Sequence, residues 1–191
     1  MSAAIDLYMF LLGCKPPGRL TEQHDIFFGI GPGVASLVPH LREFWPEAGN
    51  KLHIDAWRPV TRVDGFRVAA VSRDLPPDAG ANRLFFINLG GYKPGEFDEF
   101  HYRMLVVAPD KGVAIRRSKE TAFYRHTGFK GAQSHVDDKY GVDVDDLYDI
   151  QDTLPPAAKE RYRLQLTPVP GGGEDRLRLG YFQLQTLQDL S

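Results

Sequence analysis

The strongest constraint on this chain is that it resembles itself. Residues 7–24, LYMFLLGCKPPGRLTEQH, align without gaps on residues 84–101, LFFINLGGYKPGEFDEFH. Seven of the eighteen positions are identical: Leu7/Leu84, Leu12/Leu89, Gly13/Gly90, Pro17/Pro94, Gly18/Gly95, Glu22/Glu99 and His24/His101. Chance would leave about one. The likeness continues in order. Gly33-Val34-Ala35 faces Gly112-Val113-Ala114, and Phe44-Trp45 faces Phe123-Tyr124. Leu52-His53-Ile54-Asp55 then faces Ser134-His135-Val136-Asp137, and Val63-Asp64 faces Val144-Asp145. A chain that repeats itself in this order is expected to fold as two copies of one unit.

Each copy carries the same local signals. An aromatic and aliphatic run comes first, residues 7–12 or 84–89, and predicts a strand. Pro17-Gly18 and Pro94-Gly95 follow; a Pro-Gly pair suits the centre of a type II turn. A second strand is expected at 26–30 or 104–108. A helix comes next, marked in the first half by Leu37, Val38, Leu41 and Phe44 at helical spacing and capped by Ser36. In the second half the helix is expected over 110–127, with Gly128 as its C-cap. A third strand is expected at 52–57 or at 135–136. Residues 68–71 read as a strand, whereas the acidic stretch 143–152 reads as helix or loop.

The fold expected is α+β: two tandem ββαβ-type repeats with pseudo-two-fold symmetry, helices packed on a mainly antiparallel or mixed sheet. The boundaries are 5–80 for the first repeat and 81–166 for the second. Residues 167–191 supply a hairpin strand that completes the second repeat. About 80 residues is small for independent folding, so a shared core is expected.

Composition narrows the function classes. Lys and Arg total 23 against 25 Asp and Glu, a net charge of −2. That balance argues against nucleic acid or an anionic membrane as partner. A single cysteine, Cys14, leaves no internal disulfide and no Cys-rich zinc site. Leu11-Leu12-Gly13-Cys14 has the look of a lipoprotein cleavage box, but no Lys or Arg precedes it and Asp6 interrupts the apolar run. Its counterpart at 84–89 lies mid-chain. The segment is therefore expected to be a strand of a cytoplasmic protein.

The strings GRLTEQHDIFFGIG, FWPEA and KLHIDAW, with KGAQSHVDDKYGVDVDD in the second half, resemble a bacterial family of uncharacterised proteins, domain of unknown function 1543. The resemblance covers roughly residues 7–150. It implies one or two copies of the domain per chain, and it brings no activity and no catalytic residues with it.

Four histidines fall at repeat-matched positions, each two residues from an acid: Glu22 and His24, His53 and Asp55, Glu99 and His101, His135 and Asp137. Within a strand, residues two apart share a face, so His53 and Asp55 are expected on one side with Leu52 and Ile54 on the other. Extended chain would place Glu22 and His24 on one face as well; a helical turn capped by Thr21 would stack them differently. Imidazole and carboxylate together can hold a divalent metal, or a carboxylate-oriented His can act as a general base. The structural alternative is that these groups cap turns and pair on a half-exposed sheet face. The Gly29-Ile30-Gly31-Pro32-Gly33 stretch lacks the Lys-Ser/Thr ending of a phosphate loop and reads as a loop. The function expected is a non-enzymatic module binding a small ligand or a protein partner. The competing class is a metal-assisted or His/carboxylate enzyme acting on a small polar substrate, with convergence of His24, His53 and Asp55 as the discriminating feature.

Overall fold

The computed structural model describes residues 5–76, 80–92, 97–126, 142–173 and 175–187. It is a mixed α+β protein with three antiparallel sheets and few helices. The chain divides into two units. The first comprises Met1–Asp78 and Leu154–Ser191; the second is the intervening Ala79–Thr153.

In the first unit β1 (Asp6–Cys14) lies inside a four-stranded sheet. It pairs on one side with β2 (Gln23–Gly31) and on the other with β3 (His53–Pro59), both antiparallel. The β1–β2 connection turns at Pro16–Arg19, where the Arg19 N–H donates to the Pro16 carbonyl at 3.3 Å. Gly18 takes φ +78 there, as a type II turn requires. The alternate β1 residues Tyr8, Phe10, Leu12 and Cys14 are buried against Leu37, Val38 and Leu41 of α1 (Val34–Phe44). Period two on the strand thus meets period three to four on the helix. Each such fully buried side chain contributes about 1.5–3 kcal/mol.

The cap of α1 is Gly33; Ser36 lies inside the helix and its hydroxyl donates to the Gly33 carbonyl at 2.6 Å. Pro39 is accommodated within the helix. The glycines of the preceding stretch have a packing role. A Cβ on Gly29 would fall 2.8 Å from Phe27 and 3.0 Å from Leu37, and one on Gly31 2.7 Å from Ser36 Oγ.

Beyond β3, β4 (Arg62–Val63) and β5 (Phe66–Ser72) form a tight hairpin across Asp64-Gly65. Both turn residues have positive φ, as the two-residue hairpin turn demands. Val63-Asp64 is therefore part of a hairpin and not the counterpart of Val144-Asp145.

The second unit is built on β6 (Arg83–Tyr92), flanked by β7 (Glu99–Ala108) and β8 (Val142–Asp149). The helix α2 (Lys111–His126) follows β7. Phe85, Ile87, Leu89, Val106, Ala108 and Ala114 form its core, with Val144 and Leu147 packed against it. Within the acidic stretch 143–152, residues 143–149 belong to β8, where apolar residues alternate with aspartates, and 150–152 are helical. The strand leads into the short helix α3 (Ile150–Thr153), whose start is held by the Gln151 N–H donating to Asp149 Oδ1 at 2.9 Å. The sequence-predicted strand at 135–136 and the Gly128 cap lie outside the described residues.

The tail departs from expectation. Helix α4 (Pro156–Arg161) leads into β9 (Tyr162–Pro168), which pairs with β5. The last strand, β10 (Arg178–Gln183), pairs with β3. Both strands belong to the first unit, so residues 167–191 do not complete the second repeat. The two strands of the expected hairpin are present, but they lie in separate sheets and pair with β5 and β3 rather than with each other. The return is fastened by Asp175, whose carboxylate accepts from Thr61 N–H at 2.6 Å, Thr61 Oγ1 at 2.5 Å and Arg62 N–H at 2.9 Å.

Candidate functional site

The site of the first unit forms on the sheet face opposite α1. Gly13 on β1 is the cross-strand partner of His24 on β2 and of His53 on β3. Alternation sends Leu12 and Ile54 into the core and leaves Gly13, His24 and His53 on the other face. Between Ala56 and Ile54 the pairing slips by one residue, because Asp55 is the extra residue of a β-bulge. The bulge turns the Asp55 carboxylate over Gly13. Glu22 immediately precedes β2 and His24 lies within it, neither in a helical turn, so the helical-turn alternative for this pair does not occur.

These four side chains meet. His53 Nε2 lies 2.9 Å from Glu22 Oε1 and 3.4 Å from Asp55 Oδ1. His24 Nε2 lies 3.1 Å from Asp55 Oδ2. Both imidazoles thus reach the two oxygens of one carboxylate. Asp55 Oδ2 is buried and accepts no hydrogen bond, although His24 Nε2 lies close to it. Gly13 makes the approach sterically possible: a Cβ there would overlap His53 Nε2 and fall 2.5 Å from Asp55 Oδ2.

His53 carries the chemistry. It is buried, and its Nδ1 lies 3.0 Å from the Lys51 carbonyl. A carbonyl only accepts, so Nδ1 holds the ring proton. In the neutral ring Nε2 then presents a lone pair to the carboxylates of Glu22 and Asp55, which are acceptors too. Acceptor facing acceptor is repulsive unless positive charge lies between them, either a second ring proton or a cation. Metal-bound histidines characteristically donate their other N–H to a backbone carbonyl in this way.

Two further features went unread in the sequence. Tyr181 on β10 stacks on His53, with ring centroids 4.2 Å apart and planes at 33°. Its only signal was the strand pattern of the tail, which carried no indication of its partner. Beside this stack a cavity of about 240 Å³ is lined by Arg42, Asn50, Lys51, Tyr181, Gln183 and Gln185 among others. Cys14, at the end of β1, is buried with its thiol 3.8 Å from the Ala48 carbonyl; burial pushes its pKa up, Glu22 adds to the rise, and Lys51 opposes it.

In the second unit Glu99 and His101 lie on β7, with His101 opposite Gly90. Their partner is Asp145 on β8: His101 Nε2 lies 3.4 Å from Asp145 Oδ2 and 3.8 Å from Glu99 Oε2. His135 and Asp137 lie outside the described residues. The register of β8 shows which described positions match His53 and Asp55. Gly90 pairs with Asp143, and the slip between Leu89 and Asn88 makes Asp145 the bulged residue. The position matching His53 is therefore Asp143, and that matching Asp55 is Asp145.

Residues 19–70 match the model of a family described as Domain of Unknown Function (DUF1543). That span holds Glu22, His24, His53 and Asp55. No curated protein matches the chain. Among solved structures, the fold is similar to the crystal structure of a protein Il1583 from Idiomarina loihiensis. The TM-score is 0.58 at 22% identity, over 94% of this chain and 97% of that one, a likeness of fold. Among the described residues no helix is long and apolar enough to cross a membrane.

Proposed function

We propose that the first unit is a small-ligand-binding module whose ligand is a divalent cation held by Glu22, His24, His53 and Asp55. The observation that carries this reading is the His53 ring, with Nδ1 directed at the Lys51 carbonyl and Nε2 facing two carboxylates. Charge supports it: two carboxylates and two neutral imidazoles sum to −2, which one divalent cation neutralises. Spacing supports it as well. A tetrahedral cation with ligands at about 2.0–2.1 Å separates them by about 3.3 Å. Three of the six separations in such a shell are close to this, at 2.9, 3.1 and 3.4 Å, while no three of these donor atoms lie mutually within 4.8 Å, so the cation has to draw the side chains together. Two imidazoles with two oxygens suit zinc and its late first-row neighbours.

The test is a calorimetric titration of the full chain with zinc. One site is expected in the first unit. His24→Gln, on an exposed edge, weakens it at least tenfold with no change in melting temperature of the metal-free protein. His53→Gln does the same unless the buried ring is needed for folding, which circular dichroism would show. Unchanged zinc affinity in folded His24→Gln and Asp55→Asn proteins refutes the site.

A second reading, metal-assisted chemistry on a small polar substrate, is favoured by the cavity beside the Tyr181–His53 stack, with Arg42 and Lys51 in its lining. The finer architecture belongs with this reading. The matched glycines, strand orders and bulges of the two units support a tandem ββαβ duplication with a related site in each copy.

A further inference from the structure

We infer that the second unit carries its own divalent-cation site, formed by Glu99, His101 and Asp145, and that it prefers a harder cation than the first-unit site does. The ligand atoms of these three residues lie within 4.8 Å of one another. They come from two different strands, so no single local motif brings them together. The arrangement depends on two specific backbone features. Asp145 is the extra residue of the β8 bulge, which displaces its carboxylate toward His101. Gly90, which pairs with His101, leaves the floor open: a Cβ there would overlap Asp145 Oδ2 and fall 2.7 Å from Asp145 Cγ. A sheet has no structural need for a glycine under a carboxylate, and glycine inside a strand costs about 0.5–1 kcal/mol relative to alanine.

The selectivity follows from composition. The first cluster has two imidazoles and two carboxylates. The second has one imidazole and two carboxylates, and the register position held by His53 in β3 is held in β8 by Asp143. Exchanging nitrogen for oxygen donors shifts a site from zinc, nickel and copper toward manganese and magnesium. The wider contacts, 3.4 and 3.8 Å, agree with a larger ion or one that keeps its waters. The second site still takes zinc, since zinc lies above manganese in intrinsic affinity for either donor set, but the ratio of the two affinities is smaller.

The experiment uses the full chain with manganese and with zinc as separate probes. Manganese uptake is followed by loss of the free-ion paramagnetic resonance signal, zinc uptake by competition with a chromophoric chelator. Asp145→Asn isolates the first-unit site and His24→Gln isolates the second. Asp145→Asn is expected to lower manganese affinity at least tenfold, with His101→Gln as the second variant should the first fail to fold. His24→Gln is expected to leave manganese affinity within twofold. The zinc-to-manganese affinity ratio is expected to be at least tenfold lower in His24→Gln than in Asp145→Asn. Manganese affinity unchanged in both Asp145→Asn and His101→Gln, or lost in His24→Gln instead, overturns the second site. Equal ratios overturn its selectivity. Manganese binding that depends on Asp145, in a chain whose zinc binding is indifferent to His24, would sink the first-unit reading and leave this one standing.

Discussion

Gly13→Ala is the substitution that asks most of this structure. A Cβ at residue 13 would lie 2.5 Å from Asp55 Oδ2 and overlap His53 Nε2. Ordinary contact needs about 3.4 Å, so one group or the other must move by about 1 Å. His53 has little freedom to do so: it is buried, anchored to the Lys51 carbonyl at 3.0 Å and covered by Tyr181. Forcing a methyl group into such a place costs about 1–3 kcal/mol. The better strand propensity of alanine returns about 0.5–1 kcal/mol. The net loss, at most about 2.5 kcal/mol, corresponds to a fall in melting temperature of at most about 10 °C for a chain of this size. The ligand consequence is larger. Shifting His53 or Asp55 by 1 Å removes a donor from the proposed shell, and zinc affinity is expected to drop by at least a factor of about 10–100. Thermal melts and zinc titrations on wild type, Gly13→Ala and Gly13→Ser measure both effects. A Gly13→Ala protein that melts with wild type and binds zinc within twofold of it would show that the glycine does not hold the floor of a site.

Other consequences are independent of the metal. Burial pushes the Asp149 carboxyl above the ordinary carboxylate range, against the opposing pull of the Gln151 N–H and Arg83. The folded chain then keeps that proton to higher pH than the unfolded chain, so this group's stabilising contribution falls as pH rises from about 4 through the folded value. Asp149→Asn should therefore gain stability relative to wild type between about pH 4 and 7; denaturant midpoints that keep a constant difference over that range would contradict it. Burial also holds the Cys14 thiol in its neutral form, so iodoacetamide should modify it slowly at pH 8 in the native protein and rapidly in denaturant, with equal rates counting against the assignment. Asp175→Ala removes three hydrogen bonds to Thr61 and Arg62 and should cost about 1–3 kcal/mol in urea unfolding; a change below about 0.3 kcal/mol would show that the strand pairing of β9 and β10 holds the tail without Asp175.

Local pattern was legible in this chain and register was not. The alternation of Leu12 and Ile54 with Gly13 and His53 showed which face of the sheet carries polar groups, and the Glu22/His24 and His53/Asp55 pairs sit on that face. A bulge leaves almost no trace in composition, so neither Asp55 nor Asp145 could be identified as the residue displaced over a glycine. The string SHVD at 134–137 looks more like LHID at 52–55 than DVD at 143–145 does, yet the strand that pairs with β6 is the acidic one. Tyr181 and Asp175 act across more than a hundred residues, a distance over which periodicity carries no information. The glycines Gly13 and Gly90 were visible as identities in the repeat, and only coordinates showed what they lie beneath.

Zinc X-ray absorption on the full chain loaded with one equivalent of metal tests the central claim most directly. Four-ligand coordination by nitrogen and oxygen at about 2.0–2.1 Å is expected, with the outer-shell scattering of two imidazoles, and that imidazole signal should fall by half in His24→Gln. A sulfur neighbour at about 2.3 Å would assign the metal to Cys14, and a shell without imidazole would place it away from His24 and His53; either result contradicts the site.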